Sequence, residues 1–323
     1  MSNSATALPD LAAIRAAQRR IAPYVHRTPV LHSRSLDALA AAELYFKCEN
    51  FQKVGAFKVR GACNAVFALD AATAAQGVVT HSSGNHGAAL AYAARERGIA
   101  AYVVMPDNAP KIKIDNVRGF GATIRFCVPT VAAREAGCAE VQREHGATLI
   151  HPFDNADVIA GPGTTALELL ADVPGLDAVI APCGGGGLLS GTAIAAKALS
   201  PSIRVYGAEP ANAGDAAAGF RSGHIEPLPA ATTIADGLRT TLAPRTFNAI
   251  RAHVDDIGTC SEDAIVRAMR VMWERMKIIV EPSGAVPLAC LIERAFDPDP
   301  SIKRIGIIIS GGNVDLDHLP WQR

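Results

Sequence analysis

The segment Gly77-Val78-Val79-Thr80-His81-Ser82-Ser83-Gly84-Asn85-His86-Gly87 begins as a short apolar strand over 77–80 and passes through a polar turn into a helix expected over 86–97. Outward from it the alternation repeats, with strands expected at 101–105 and 123–128 and helices at 111–120 and 131–145. Short apolar strands alternating with amphipathic helices predict a parallel sheet covered on both faces. The pattern returns with a strand at 177–181, a helix at 188–199 and a strand at 204–208, and a buried strand is expected at 304–309. Asp10 can cap a helix running to about Tyr24, a strand is expected over 43–48, and a helix over 57–69. Ser261 caps a long helix through Met276, and Pro282 opens another. The fold expected is α/β, two joined lobes of parallel sheet flanked by helices, with ligands at the carboxyl ends of strands.

Composition narrows the function. The chain has 323 residues, 49% of them hydrophobic, ample for a core. Basic and acidic residues balance at 31 each, with no basic block interleaved with aromatics, so no nucleic-acid partner is expected. Seven cysteines without a C-x-x-C pair disfavour a disulfide framework and a zinc site, and make a reducing cytoplasm the expected location. The uncharged run over 178–196 contains Pro182 and four consecutive glycines, which suits a strand, loop and helix better than a membrane span. Residues 1–9 lack the pattern of a secretory signal.

Three strand-end loops and one lysine carry chemistry. In Ser82-Ser83-Gly84-Asn85-His86-Gly87, side-chain hydroxyls and free N–H groups at a helix start make a pocket suited to a carboxylate. In Pro182-Cys183-Gly184-Gly185-Gly186-Gly187-Leu188, consecutive glycines let backbone amides converge on a phosphate. A dinucleotide fingerprint is the rival reading there, but Leu189 or Ser190 stands where the third glycine belongs. Ser310-Gly311-Gly312-Asn313 follows a buried strand, where a serine can offer a neutral hydrogen bond to a heterocycle nitrogen or merely cap a turn. Lys58, in Gly55-Ala56-Phe57-Lys58-Val59-Arg60-Gly61, sits in apolar company that lowers an amine below its usual pKa of ~10.4. By itself that lysine reads more readily as a stem packed on a core with its head in water. Amine, carboxylate pocket, phosphate cradle and neutral hydroxyl together match pyridoxal 5′-phosphate with an amino acid beside it.

In these same motifs and in Ala208-Glu209-Pro210, all in family order over nearly the whole length, the chain resembles the fold-type II pyridoxal-phosphate enzymes of the serine/threonine dehydratase and serine racemase group. The resemblance implies a tryptophan-synthase-β-like fold, with a large cofactor-binding domain from 1–76 and 154–323 and a small substrate-closing domain over 77–153. It makes Lys58 the Schiff-base lysine and a catalytic base, and Asn85 the partner of the cofactor's ring hydroxyl. Gly184, Gly185, Gly186, Gly187 and Leu188 would hold the phosphate, and Ser310 would face the pyridine nitrogen. Ser82, Ser83, Asn85 and His86 would line the substrate side, with Ser83 opposite Lys58 as the group that gives racemisation. Glu209, the Ala213 carbonyl and Asp215 resemble the family's cation site, whose hard oxygens suit Mg²⁺, with Ca²⁺ or Mn²⁺ as alternatives. A homodimer of the short type without a regulatory domain is expected, with no membrane or nucleic-acid partner.

The activity expected is β-elimination from a 3-hydroxy amino acid. Val54-Gly55-Ala56-Phe57-Lys58 and Phe220-Arg221-Ser222-Gly223 resemble 3-hydroxyaspartate dehydratases most, with threonine or serine as other substrates and a serine or aspartate racemase as the alternative. A second substrate carboxylate needs a second cation, for which Arg134 and Arg239 are the candidates. A β-replacement synthase would share the lysine and the glycine loop, but would require a second nucleophile.

Overall fold

In the computed structural model, which describes residues 7–82, 84–109, 111–228, 231–296 and 299–322 and only the backbone of Ile112, the chain begins with α1 (Leu11–Ile21), β1 (Val30–His32), α2 (Arg34–Ala40), β2 (Glu43–Cys48), α3 (Lys58–Ala68) and α4 (Ala71–Ala75). There follow β3 (Val78–His81), α5 (Asn85–Arg97), β4 (Ala101–Pro106), α6 (Lys111–Gly119), β5 (Thr123–Cys127), α7 (Val131–His145) and β6 (Thr148–Leu149). After α8 (Ala156–Asp172) come β7 (Ala178–Pro182), α9 (Gly187–Leu199), β8 (Arg204–Pro210), α10 (Asp215–Ser222), α11 (Pro244–His253) and β9 (Asp256–Cys260). The chain closes with α12 (Glu262–Met276), α13 (Pro282–Ile292) and β10 (Arg304–Ile309). The expected caps form, Asp10 accepting from the Ala13 N–H at 2.8 Å and Ser261 from that of Ala264 at 3.2 Å.

The strands sort into two sheets, one of six in the order β1-β2-β10-β7-β8-β9 and one of four in the order β5-β4-β3-β6. Apart from antiparallel β1, every pairing is parallel. In β10 the pleat sends Ile305, Ile307 and Ile309 into one core cluster and Ile308 into another. Both faces of that strand are therefore buried, as its unbroken apolar run predicts.

Periodicity does not predict α2, α4, α10 or α11, and the longest helix it misses is α8. Val158 through Leu169 are all buried, so no polar stripe marks it, and Gly161-Pro162-Gly163 imitates a break. The breakers serve a helix crossing. Pro162 lacks the N–H that would bond the Val158 carbonyl, and Gly61 of α3 passes there so closely that a Cβ on it would lie 2.6 Å from that oxygen. From the other side, a Cβ on Gly161 would lie 2.4 Å from the Arg60 carbonyl. Strands β1, β6 and β9 also escape the pattern.

Beside this crossing Arg60, with no exposed surface, is held at both ends of its guanidinium. It bonds Glu49 at 2.7 and 2.8 Å, Glu168 at 2.8 and 2.8 Å, and the Thr164 hydroxyl at 3.0 Å. Lys47 reaches Glu168 at 2.7 Å and the Thr28 carbonyl at 2.6 Å. Burial alone would raise the Glu168 carboxyl, but Arg60 and Lys47 hold it below its ordinary value. The network ties β2, the turn after it, α3 and α8 together, and fixes the helix that starts at Lys58. Arg60→Met leaves two buried carboxylates facing an apolar chain, and should lower the unfolding free energy by about 3–5 kcal/mol in denaturant titration; a loss below about 1 kcal/mol would show that the network is replaceable.

Candidate active site

Strands β3, β7 and β10 end around one cleft of about 710 Å³, lined by Lys58, the loop after β3, the glycine loop and Ser310. Lys58 is the first residue of α3, and its amine donates to the Pro152 carbonyl at 2.9 Å. Its surroundings strip it of water, which lowers its pKa to about 8 and leaves roughly a tenth of it neutral at pH 7, far more than an exposed lysine. The start of α3 is laced to the Ser310 loop through the Phe57 N–H to the Ser310 carbonyl at 3.0 Å and the Gly312 N–H to the Gly55 carbonyl at 2.9 Å.

The glycine loop has no room for side chains. A Cβ on Gly185 would lie 2.3 Å from the Phe153 ring and one on Gly184 2.9 Å from the Leu238 Cα, while Gly186 holds φ at +84°. Gly187 and Leu188 then open α9, whose first N–H groups have no partner within the helix, so the loop and helix start together form a cradle for an anion. Ser310 is 3% exposed and lines the same cleft, and its hydroxyl has no hydrogen-bond partner among the described residues. A buried, orphaned hydroxyl beside an anion cradle and a readily deprotonated amine fits a phosphorylated heterocyclic aldehyde.

On the side of the four-stranded sheet, Ser82 lines the cleft and accepts from the Gly84 N–H at 3.2 Å, while Ser83 lies outside the described residues. His86 is 2% exposed, with Nε2 3.3 Å from the Ile150 carbonyl and no partner for Nδ1 among the described residues. Burial first, then Lys58, depresses it well below the usual histidine range, so it is neutral. Asn85 is fixed at both ends of its amide, donating to Glu281 at 3.1 and 3.2 Å and accepting from the Asn313 amide at 2.9 Å. Glu281 is a site residue that the sequence reading missed. Burial, with Asp236 next, raises its carboxyl to about 7 against the pull of Asn85, Lys113 and the Asn313 N–H. The signal was present, a lone acid in the apolar run Ile278-Ile279-Val280-Glu281-Pro282.

Both candidate arginines line the cleft. Arg239 spends its guanidinium on the Thr233 carbonyl, with Nε at 2.9 Å, whereas Arg134 makes one bond, Nε to the Thr130 carbonyl at 3.4 Å, and faces no carboxylate among the described residues. Lys113, also missed, pairs with Asp236 at the cleft wall. Away from the cleft, Glu209 accepts from the Ala216 and Ala217 N–H groups at 3.3 and 2.8 Å. Ala213 is buried in the turn before α10, and Asp215 keeps a buried oxygen without a partner among the described residues. Burial raises Asp215 to about 6 and holds Glu209 well above the usual carboxylate range, Asp215 adding to the latter.

Residues 21–311 match the family model described as "Pyridoxal-phosphate dependent enzyme". The chain is 51% identical to a serine racemase of Dictyostelium discoideum over 308 residues, covering 95% of each chain. It is 50% identical to a beta-hydroxyaspartate dehydratase of Paracoccus denitrificans (strain Pd 1222) over 316 residues, covering 98% of this chain and 99% of that one. The structure of maize serine racemase superposes with a TM-score of 0.95 at 50% identity, covering 96% of this chain and 95% of that one.

Two measurements follow from the site. With acetic anhydride on cofactor-free protein, acylation at Lys58 should climb about tenfold per pH unit below about 8 and level off above it; a rise continuing past pH ~10, as for an exposed lysine, would contradict the depressed amine. Gly185→Ala should push Phe153 into the cradle and weaken retention of pyridoxal phosphate by about tenfold or more in equilibrium dialysis, about 1.4 kcal/mol or more; unchanged retention would mean the loop does not grip the ligand.

Proposed function

The chain belongs to the pyridoxal-phosphate-dependent enzymes, in the fold-type II group of serine racemases, threonine deaminases and hydroxyaspartate dehydratases, and from that premise we propose that it acts on serine, interconverting the enantiomers and releasing ammonia by β-elimination at the same site. The observation that carries this reading is the depressed amine of Lys58 sharing a cleft with Ser82, Gly84, Asn85 and His86, in a chain half identical to serine racemases. It departs from the dehydratase expected first from sequence, because the relatives weigh toward the racemase alternative.

Bound in the cleft, pyridoxal phosphate delocalises the negative charge that appears on the substrate Cα when its proton leaves. The protein does the rest. Gly184, Gly185, Gly186, Gly187 and Leu188 would hold the phosphate through backbone amides, and the Asn85 amide, oriented by Glu281 and Asn313, would be the partner of the ring hydroxyl. Ser310, whose buried hydroxyl is unpartnered among the described residues, would meet the ring nitrogen as a neutral group rather than a carboxylate and so would not force a proton onto it. Ser82 and the N–H groups opening α5 take the substrate carboxylate. The Lys58 amine then moves the Cα proton on its side, and Ser83 moves it on the other. Departure of the β-hydroxyl in place of reprotonation gives elimination, and the released enamine hydrolyses to 2-oxo acid and ammonia. Burial holds His86 neutral, so that side chain adds no charge to the cleft.

Glu209, the Ala213 carbonyl and Asp215 would hold a divalent cation such as Mg²⁺, a reading supported by the orphaned Asp215 oxygen and by two carboxyls raised by burial. Millimolar Mg²⁺ should raise the melting temperature of the parent protein and not that of Asp215→Asn; an equal rise in both would place the cation elsewhere.

Arg134 favours a second reading, the dehydration of 3-hydroxyaspartate, because its guanidinium faces the cleft without a carboxylate partner among the described residues. Chiral chromatography and ammonia release from D- and L-serine, L-threonine and 3-hydroxyaspartate, measured side by side on cofactor-loaded protein, separate the two. Exchange of serine enantiomers with some pyruvate is the expected result, whereas oxaloacetate from 3-hydroxyaspartate with serine untouched would replace the first reading by the second. In that event Arg134→Met should lower kcat/KM for 3-hydroxyaspartate by about tenfold to a hundredfold while leaving serine within about twofold.

A further inference from the structure

The turn after β6 carries two groups the site depends on, and neither is a motif residue. The Pro152 carbonyl receives the Lys58 amine at 2.9 Å, and the Phe153 ring lies where a Cβ on Gly185 would stand 2.3 Å away, backing the glycine cradle. What shapes this turn is His151. Its Nδ1 accepts the Asp154 N–H at 2.9 Å and the Phe153 N–H at 3.4 Å, and its ring meets His81 and Phe153 edge to face, with centroids 5.5 and 4.7 Å apart. An imidazole nitrogen that accepts two N–H groups is unprotonated, so the ring proton sits on Nε2. The surroundings agree, because burial first, then His81 and Lys58, lowers the ring's pKa to about 4.

We propose that His151 is a positioning residue for catalysis, its Nδ1 capping the turn of residues 152–154 so that the Pro152 carbonyl holds one N–H of the Lys58 amine. An amine that gives a hydrogen to a fixed carbonyl has its lone pair turned away from that carbonyl, so the turn sets the direction from which Lys58 takes a proton. The same cap keeps the Phe153 ring under Gly185. The device differs from an ordinary turn only in its acceptor: an asparagine side chain at this position can accept the same N–H groups, as in the turns Asn forms with the backbone beyond it.

The inference rests on Lys58 being the lysine that carries the cofactor, and the test separates the two. The variants are His151→Asn, which keeps an acceptor one bond beyond Cγ, and His151→Leu, which fills the space without one. The first readout is kcat and KM for serine on cofactor-saturated protein. The second is acetic anhydride labelling of Lys58 relative to exposed Lys303, by peptide mass spectrometry of the full chain freed of cofactor, which requires no assumption about what Lys58 binds. His151→Leu should lose about tenfold or more in kcat with KM within about twofold, and its Lys58 should label about threefold faster or more, while His151→Asn stays within about twofold of the parent in both. An asparagine variant as impaired as the leucine one, or a leucine variant whose Lys58 labelling is unchanged, overturns the proposal. Should His151→Leu fail to fold, His151→Asn and His151→Ala carry the same comparison. Lys58→Ala retaining a visible cofactor band would instead overturn the cofactor assignment, leaving the labelling result standing.

Discussion

Everything in the site hangs from the buried guanidinium of Arg60. Two positions beyond Lys58 on α3, it is gripped by Glu49 from the turn after β2 and by Glu168 from α8, and Lys47 completes the balance of charge. Four desolvated charges are not an economical source of stability, since apolar residues of similar volume often do as well. What they supply is register. A planar fork satisfied from two sides has one orientation, and the close α3–α8 crossing at Gly61 and Gly161 allows the helix little sliding, so the Lys58 amine is delivered to one place.

Around that amine burial works against charge. Burial holds Lys58, His86 and His151 toward their neutral forms and raises Glu281 to the edge of protonation. On the function proposed, the dianionic phosphate and the substrate carboxylate would be met instead by backbone N–H groups at the starts of α9 and α5. Such dipoles are fixed by the fold and need no reorganisation when a ligand arrives, and they leave the proton-moving groups free to change charge without a strong neighbouring field.

Much of this was legible in the sequence, and the gaps have physical causes. Strand ends and glycine runs announce themselves because their geometry demands particular residues, which is why the loops at Ser82–Asn85, Gly184–Gly187 and Ser310 were all found and fall around one cleft. Helix α8 was not found, because a helix buried on every face has no stripe and its Gly161-Pro162-Gly163 serves a neighbour rather than itself. Glu281, Lys113 and His151 escaped for another reason. Each works through partners more than thirty positions away in the chain or through a turn whose shape is tertiary, and no local spacing encodes that. Arg134 and Arg239 looked alike in sequence, yet one is spent on a backbone carbonyl and the other faces the cleft.

The central claim is that one amine, that of Lys58, carries pyridoxal phosphate. Reduction of the cofactor-loaded protein with borohydride, followed by digestion and mass spectrometry, tests it most directly. The account predicts the added mass of the reduced cofactor on the peptide containing Lys58 and on no other; the same mass on a different lysine, or on none, would contradict it.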